Sequence, residues 1–317
     1  VAARSWTVSA TRRLVGKLAH PLNRPQFDPQ TGRVAEGYGV LQPRVTPSLP
    51  TGHYGSLFQR IFSSSRGIDP YVFAVSDVYQ DLFGEGSFAG KGIYDIDAFE
   101  AALAGKIPEN AMLSHDLFEG VLARAALVTD IEVVEEYPER YGVAAARQHR
   151  WVRGDWQLLP WMLAWRSTAP RGSKGGIPAL GLWKMIDNLR RSLIPIVTLL
   201  GLFLGWIFLP AGLAAAWTVF IVVIGVLPPL LPALSGAIPR RLPLTVASRI
   251  RSSLGDFAHA FVFAGTNLAV LAHQAGLMAD AILRTLYRLA VSRKNLLEWT
   301  TAAQAESSHT PSIFGNY

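Results

Sequence analysis

Ser114-His115-Asp116-Leu117-Phe118-Glu119-Gly120 opens the stretch that decides how this chain is read, and Arg147-Gln148-His149-Arg150-Trp151-Val152-Arg153-Gly154-Asp155-Trp156-Gln157 closes it. Between them, Asp130 to Glu136 alternates Ile131 and Val133 with Asp130 and Glu132, the period of a half-buried strand. Asp116 stands at the head of a helix expected from Ser114 to Ala125, where free amides favour an acid. The closing block sets three arginines, an imidazole and an indole within residues 147–153. Guanidinium forks suit phosphate oxygens, and an indole face suits the apolar face of a sugar ring.

A carboxylate able to accept a hydroxyl proton, followed by a diphosphate clamp and an aromatic platform, reads as sugar transfer from a nucleotide donor. Each of these residues also has a plainer role. Asp116 would serve equally as a helix start, and its pairing with the downstream block is what favours chemistry. His115 is a packing or hydrogen-bonding neighbour, since no second histidine lies at ligand spacing. Trp151, Trp156, Trp161 and Trp165 recur every four or five residues. An interfacial helix at the membrane surface accounts for Trp161 and Trp165, whereas Trp151 adjoins Arg150 and is kept for the sugar.

Ser-His-Asp followed by Arg-Gln-His-Arg-Trp resembles the acidic motif and the Gln-x-x-Arg-Trp motif of membrane-bound, processive β-glycosyltransferases. Three further blocks are similar to the glycosyltransferase region of cyclic β-1,2-glucan synthases. They are Gly37-Tyr38-Gly39-Val40-Leu41-Gln42-Pro43-Arg44, Gly90-Lys91-Gly92-Ile93-Tyr94-Asp95-Ile96-Asp97-Ala98-Phe99 and Arg153-Gly154-Asp155-Trp156-Gln157. The resemblance covers roughly residues 11–306. It departs from the family in two places. Arg147 stands at the first position of the Gln-x-x-Arg-Trp pattern, and the family's metal-binding Asp-x-Asp is not found before Arg12.

The resemblance implies an α/β fold, the acceptor-side part of a GT-A-like domain, followed by all-α membrane helices. It implies Asp116 as the catalytic base, with Arg147, Gln148 and Arg150 on the donor diphosphate and Trp151, Gly90 and Lys91 on the acceptor. The parent enzyme would move glucose from UDP-glucose to the 2-hydroxyl of a β-1,2-glucan, with inversion. A divalent metal, magnesium or manganese, is expected for the complete enzyme, with no ligands for it in this chain. The partners expected are UDP-glucose, a glucan acceptor, the lipid bilayer, and upstream and downstream parts of a larger polypeptide. The location expected is the bacterial inner membrane, with the catalytic part facing the cytoplasm. Two rival readings stand beside this one: a non-catalytic membrane module, and a synthase of another β-linked glucan.

Composition fits a chain that is part globular and part membrane. Half of the 317 residues are hydrophobic and only 17% are charged, which is apolar for a cytosolic enzyme. The net charge of +7 suits anionic lipid and a diphosphate donor. Nucleic acid would account for the charge too, but no basic stripe interleaved with aromatics makes a recognisable module. The absence of cysteine excludes disulfides and thiolate chemistry. Val1 in place of an initiator methionine leads us to expect further sequence upstream.

Two stretches imitate other sites. Gly84-Glu85-Gly86-Ser87-Phe88-Ala89-Gly90-Lys91-Gly92 nearly spells a nucleotide loop, but the first glycine would fall on Glu85 and Gly92 replaces the magnesium-holding Ser or Thr. Glycines here are expected to let a backbone approach a sugar closely. Asp95-Ile96-Asp97 spells a metal motif, yet Asp97 is expected to cap a helix running to Leu103, with Glu100 at the capping-box position.

The chain divides at 1–168, a connector at 169–191, a hairpin at 192–239, and basic amphipathic helices with a tail at 240–317. Ser192 to Pro239 carries no charged residue over 48 positions, enough for two spans of about 20 residues each. Pro210-Ala211-Gly212 marks the turn. Lys184, Arg190 and Arg191 precede the run, and Arg240 and Arg241 follow it, so both ends are expected on one, cytoplasmic side. In 257–279, His259, Thr266, His273 and Asp280 form a polar stripe at intervals of seven, which suits a helix lying in the interface. Hidden against other helices, the same stripe would suit a span.

Overall fold

The computed structural model describes residues 8–47, 55–62, 77–113, 116–135, 137–163, 176–237 and 246–298. They fall into two compact units, residues 1–190 with 281–317 and residues 191–280. The first is mixed α/β and the second is helical.

The first unit opens with α1 (Val8–Leu18), whose Ala10 and Leu14 are buried one helical turn apart. An antiparallel pair follows, β1 (Gln26–Asp28) with β2 (Arg33–Glu36). β3 (Val40–Pro47) is the centre of a three-stranded sheet, with β4 (Ile93–Tyr94) antiparallel on one edge and β5 (Ala125–Glu135) parallel on the other. Proline is unusual in a central strand because it cannot donate to the ladder. Pro43 is tolerated because the β3–β5 register shifts between Pro43 and Arg44. The crossover from β3 to β5 carries α2 (Leu57–Phe62), α3 (Val78–Phe83), α4 (Ile96–Leu103) and α5 (Asp116–Leu122).

Two expected boundaries move for local reasons. The helix beginning at Asp116 stops at Leu122 instead of reaching Ala125, because Arg124 takes a left-handed φ of 56°. That conformation is costly for a residue with a side chain. The Arg124 guanidinium holds it by donating to the carbonyls of Ala35 (2.9 Å), Gly37 (3.2 Å) and Gly84 (3.3 Å). β5 therefore starts at Ala125, before the alternating stretch. Its first four residues are buried on both faces, so they show no alternation. The cap of α4 is Asp95, not Asp97: Asp95 Oδ1 accepts from Ala98 N at 3.0 Å. Ala98 thus occupies the third helical position, where Glu100 was expected.

α6 (Tyr141–Gln157) and α7 (Leu159–Met162) complete the part that carries the second motif. Trp161 is half-buried and packs against the core. Its ring meets Phe118 edge-on at 5.7 Å, and its N–H donates to Lys106 O at 3.2 Å. Its one donor is thus satisfied by a carbonyl within the protein. Trp165 and the Asp-neighbouring Ser114 and His115 lie outside the described residues.

α8 (Ala179–Phe208) begins inside the expected connector. Its Lys184 is 2% exposed and so does not stand free as a basic flank. Its Nζ donates to Gly86 O (2.7 Å) and Glu85 O (3.2 Å) and lies 4.8 Å from the Tyr79 ring centre.

In the second unit α8 continues to Phe208, and α9 (Ala211–Ala237) returns after Leu209 and Pro210, as the expected turn required. Trp206 Nε1 donates to Thr218 Oγ1 at 2.9 Å, and Trp217 Nε1 donates to Gly201 O at 2.8 Å, as in an antiparallel hairpin. Phe203, Ile207, Val219 and Phe220 are each more than half exposed. Among the described residues, Ala179–Phe208 and Ala211–Leu231 are long and apolar enough to cross a membrane.

α10 (Val246–Ala269) packs along α9 with Ala260 and Ala264 buried. Its outward face is apolar, with Phe261 and Val262 more than half exposed, while His259 and Thr266 are only partly exposed. Further along, His273 and Asp280 of the same stripe are exposed. Thr266 and Asn267 satisfy their donors on carbonyls four residues back, Val262 O and Phe263 O. α11 (Leu271–Tyr287) follows, and the two arms 253–269 and 271–292 meet at 58°, together long enough for one broken span.

Candidate active site

Asp116 is the first residue of α5, and the glycine-rich loop closes over it. At Gly90, φ is 79° and an added Cβ would stand 2.6 Å from Asp116 Oδ2 and 2.9 Å from its Cγ. Only a glycine combines that conformation with so close an approach. The loop is tied down at nearly every step. Gly84 ends α3 in the left-handed region, and Gly86 N donates to Ala125 O at 2.7 Å. Ser87 N donates to Asp77 Oδ2 at 2.7 Å, Phe88 enters the core, and Ala89 N donates to Gln42 Oε1 at 2.6 Å. Gln42 itself is fully buried, on the central strand.

The loop's next residue reaches across the site. Lys91 Nζ pairs with Glu135 Oε2 at the end of β5, and Arg147 Nη2 lies 3.5 Å from Glu135 Oε1. Arg147, Arg150 and Trp151 share one face of α6, being three and four residues apart. The Arg147 guanidinium lies over the half-buried Trp151 ring at 4.6 Å, in cation–π geometry. Burial and the neighbouring Arg147 lower the pKa of Arg150, while the Asp116 carboxylate raises it, so the two motifs meet electrostatically. Three cations, Lys91, Arg147 and Arg150, stand with two carboxylates, Asp116 and Glu135. The group has one positive charge in excess, as an anionic ligand requires.

The structure thus brings together Asp116, Gly90, Lys91, Arg147, Arg150 and Trp151. Gln148 lies off that face of α6, and its side chain makes no hydrogen bond or ion pair with the group. Arg153 and Gln157, from the third block, have a structural use instead. Arg153 donates to Glu298 O (2.7 Å) and Leu296 O (3.4 Å), and Gln157 Nε2 donates to Leu296 O (2.9 Å). Gln157 Oε1 accepts from Leu113 N at 2.6 Å, which fixes the chain three residues before Asp116.

Two residues at the site escaped sequence reasoning. Glu135 ends an alternating strand, where an acid reads as ordinary surface. Tyr137 is 8% exposed, and its hydroxyl has no hydrogen-bond partner among the described residues. Burial pushes that hydroxyl's pKa up against the pull of Arg147.

Among the described residues, no group of three or more His, Asp or Glu side chains could hold a divalent metal. Asp95 is engaged as a helix cap, and Asp97 lines a separate hollow of about 640 Å³ between α1 and α4. None of Asp116, Arg147, Arg150 or Trp151 lines that hollow.

No family model matches the chain. Over 308 residues, 97% of its length, it is 53% identical to the cyclic beta-(1,2)-glucan synthase NdvB of Rhizobium meliloti (strain 1021). The match spans 11% of the length of that protein. Identity of that degree along nearly the whole chain assigns it to a partial region of the cyclic β-(1,2)-glucan synthase family.

Proposed function

We propose that this chain is the acceptor-side part of a GT-A-like, inverting glucosyltransferase, joined to its membrane hairpin, within a larger β-1,2-glucan synthase. The observation that carries the reading is Asp116 held against Gly90 within electrostatic reach of Arg150. The acceptor's 2-hydroxyl would lie against Asp116, whose carboxylate takes its proton as the oxygen bonds to the anomeric carbon of glucose. The bond from that carbon to the UDP oxygen breaks, and the electron pair leaves with the diphosphate. Arg147 and Arg150 stabilise the departing charge. Trp151 offers its indole to the acceptor sugar.

Any divalent cation the donor needs is supplied from other parts of the longer polypeptide, and the chain alone turns nothing over. The whole acts in the bacterial inner membrane, with this unit on the cytoplasmic side. The absence of a metal cluster among the described residues also favours a second reading, a non-catalytic module that keeps acceptor contacts.

Membranes carrying the full-length synthase, incubated with labelled UDP-glucose and magnesium, should yield β-1,2-linked glucan by linkage analysis. Another linkage would reassign the product. Unchanged synthesis after combined loss of Asp116 and Arg150 would favour the non-catalytic module.

A further inference from the structure

Glu135 occupies an unusual place, at the end of β5 between the glycine-rich loop and α6. Each of its carboxylate oxygens faces a different cation, Oε2 facing Lys91 and Oε1 facing Arg147. We propose that Glu135 is a positioning residue that gathers Lys91 and Arg147 beside Arg150, so that Lys91 serves the donor diphosphate rather than the acceptor sugar. The proposal rests on the glucosyltransferase reading above and reassigns one residue within it.

Stability does not explain the arrangement. The Lys91 and Glu135 side chains are each 33% exposed and Arg147 is 26% exposed, and ion pairs so open to water contribute little to folding. The arrangement matters for placement. Lys91, Arg147 and Arg150 repel one another, and without a shared anion two flexible side chains would swing apart into solvent. One carboxylate between Lys91 and Arg147 holds them on the same side of the site while no ligand is present. Arg147 is fixed further by the Trp151 ring at 4.6 Å. Lys91 also follows Gly90 directly, so one loop puts its backbone against Asp116 and a cation toward the departing charge. A neutral acceptor sugar has no need of an ammonium held by an arginine's own partner. A diphosphate oxygen does.

The test uses full-length synthase with UDP and magnesium, comparing wild type with Lys91→Met, Glu135→Gln, Glu135→Asp and the double variant Lys91→Met/Glu135→Gln. Lys91→Met and Glu135→Gln should each weaken UDP binding about tenfold, the scale of one charge-assisted hydrogen bond. The KM for glucan acceptor should stay within about twofold. The double variant should fall well short of the product of the two losses, because both act on one group. Glu135→Asp should recover part of the affinity, which a merely structural carboxylate would not predict.

Unchanged UDP affinity, or a rise in acceptor KM alone, overturns the proposal and leaves the glucosyltransferase reading intact. A wild type that binds no UDP overturns both. If Glu135→Gln fails to accumulate, Lys91→Met decides the matter by itself, since its side chain is partly exposed and supports no core.

Discussion

Gly90 leaves no room for a side chain beside Asp116: a Cβ there would approach the carboxylate oxygen to 2.6 Å. The loop and the candidate base are therefore one object. A change in either shifts the other, although they are separated by 26 positions in sequence.

Gly90→Ala tests that dependence. A left-handed φ costs a residue with a side chain about 1–2 kcal/mol, and the clash forces the carboxylate to move as well. Glucan synthesis by the full-length enzyme should drop by about tenfold or more, with near-normal accumulation in membranes. Activity within a factor of two would show that Asp116 tolerates displacement and is not the base.

Asp116→Asn in the full-length synthase should abolish transfer while UDP binding persists. Loss of a general base removes roughly a hundredfold or more from the chemical step. Single-turnover transfer and equilibrium UDP binding, measured on the same preparation, separate the two effects. Near-parental transfer would reduce Asp116 to the start of a helix.

Lys184→Met should destabilise the first unit, because the carbonyls of Glu85 and Gly86 lose a donor deep in the protein. An unsatisfied buried group costs about 1–3 kcal/mol. The fraction of full-length protein still soluble after graded heating should fall at lower temperature than in the parent. An unaltered heating curve would mean that other partners take over those carbonyls.

The hairpin prediction needs a different probe from Lys184, which is buried. Arg190 is exposed at the end of the first unit, and Arg251 is exposed on α10. Single cysteines at 190 and 251, in a cysteine-free background, should react with a membrane-impermeant reagent from the same side. Labelling from opposite sides would mean that 192–239 crosses an odd number of times.

The 317-residue chain alone should show no micromolar affinity for UDP with manganese by calorimetry. No described cluster offers the carboxylates that a diphosphate-bound cation needs. Tight, metal-dependent binding would promote Asp95 and Asp97 to ligands despite the cap that Asp95 makes.

The sequence by itself determined whatever is written in local or continuous pattern. The 48-residue charge-free run needs no partner to be read, since a bilayer's thickness sets its meaning, and the chain turns at Leu209 and Pro210. The arginines and the indole of residues 147–153 were legible as a dense phosphate- and sugar-suited block, and α6 then sets Arg147, Arg150 and Trp151 on one face. Resemblance paired that face with Asp116 and Gly90.

Only the tertiary structure decided who touches whom. Trp161 was legible as an indole in a periodic row, but its contact with Phe118 depends on a helix 43 positions away. Lys184 looked like a membrane flank because a lone lysine before an apolar run carries no sign of the carbonyls that bury it. The same holds for Glu135, which pairs with a lysine 44 positions upstream and an arginine 12 downstream. Ion pairs across elements obey no sequence period, since they follow from how strands and helices pack, and packing is a property of the folded chain alone.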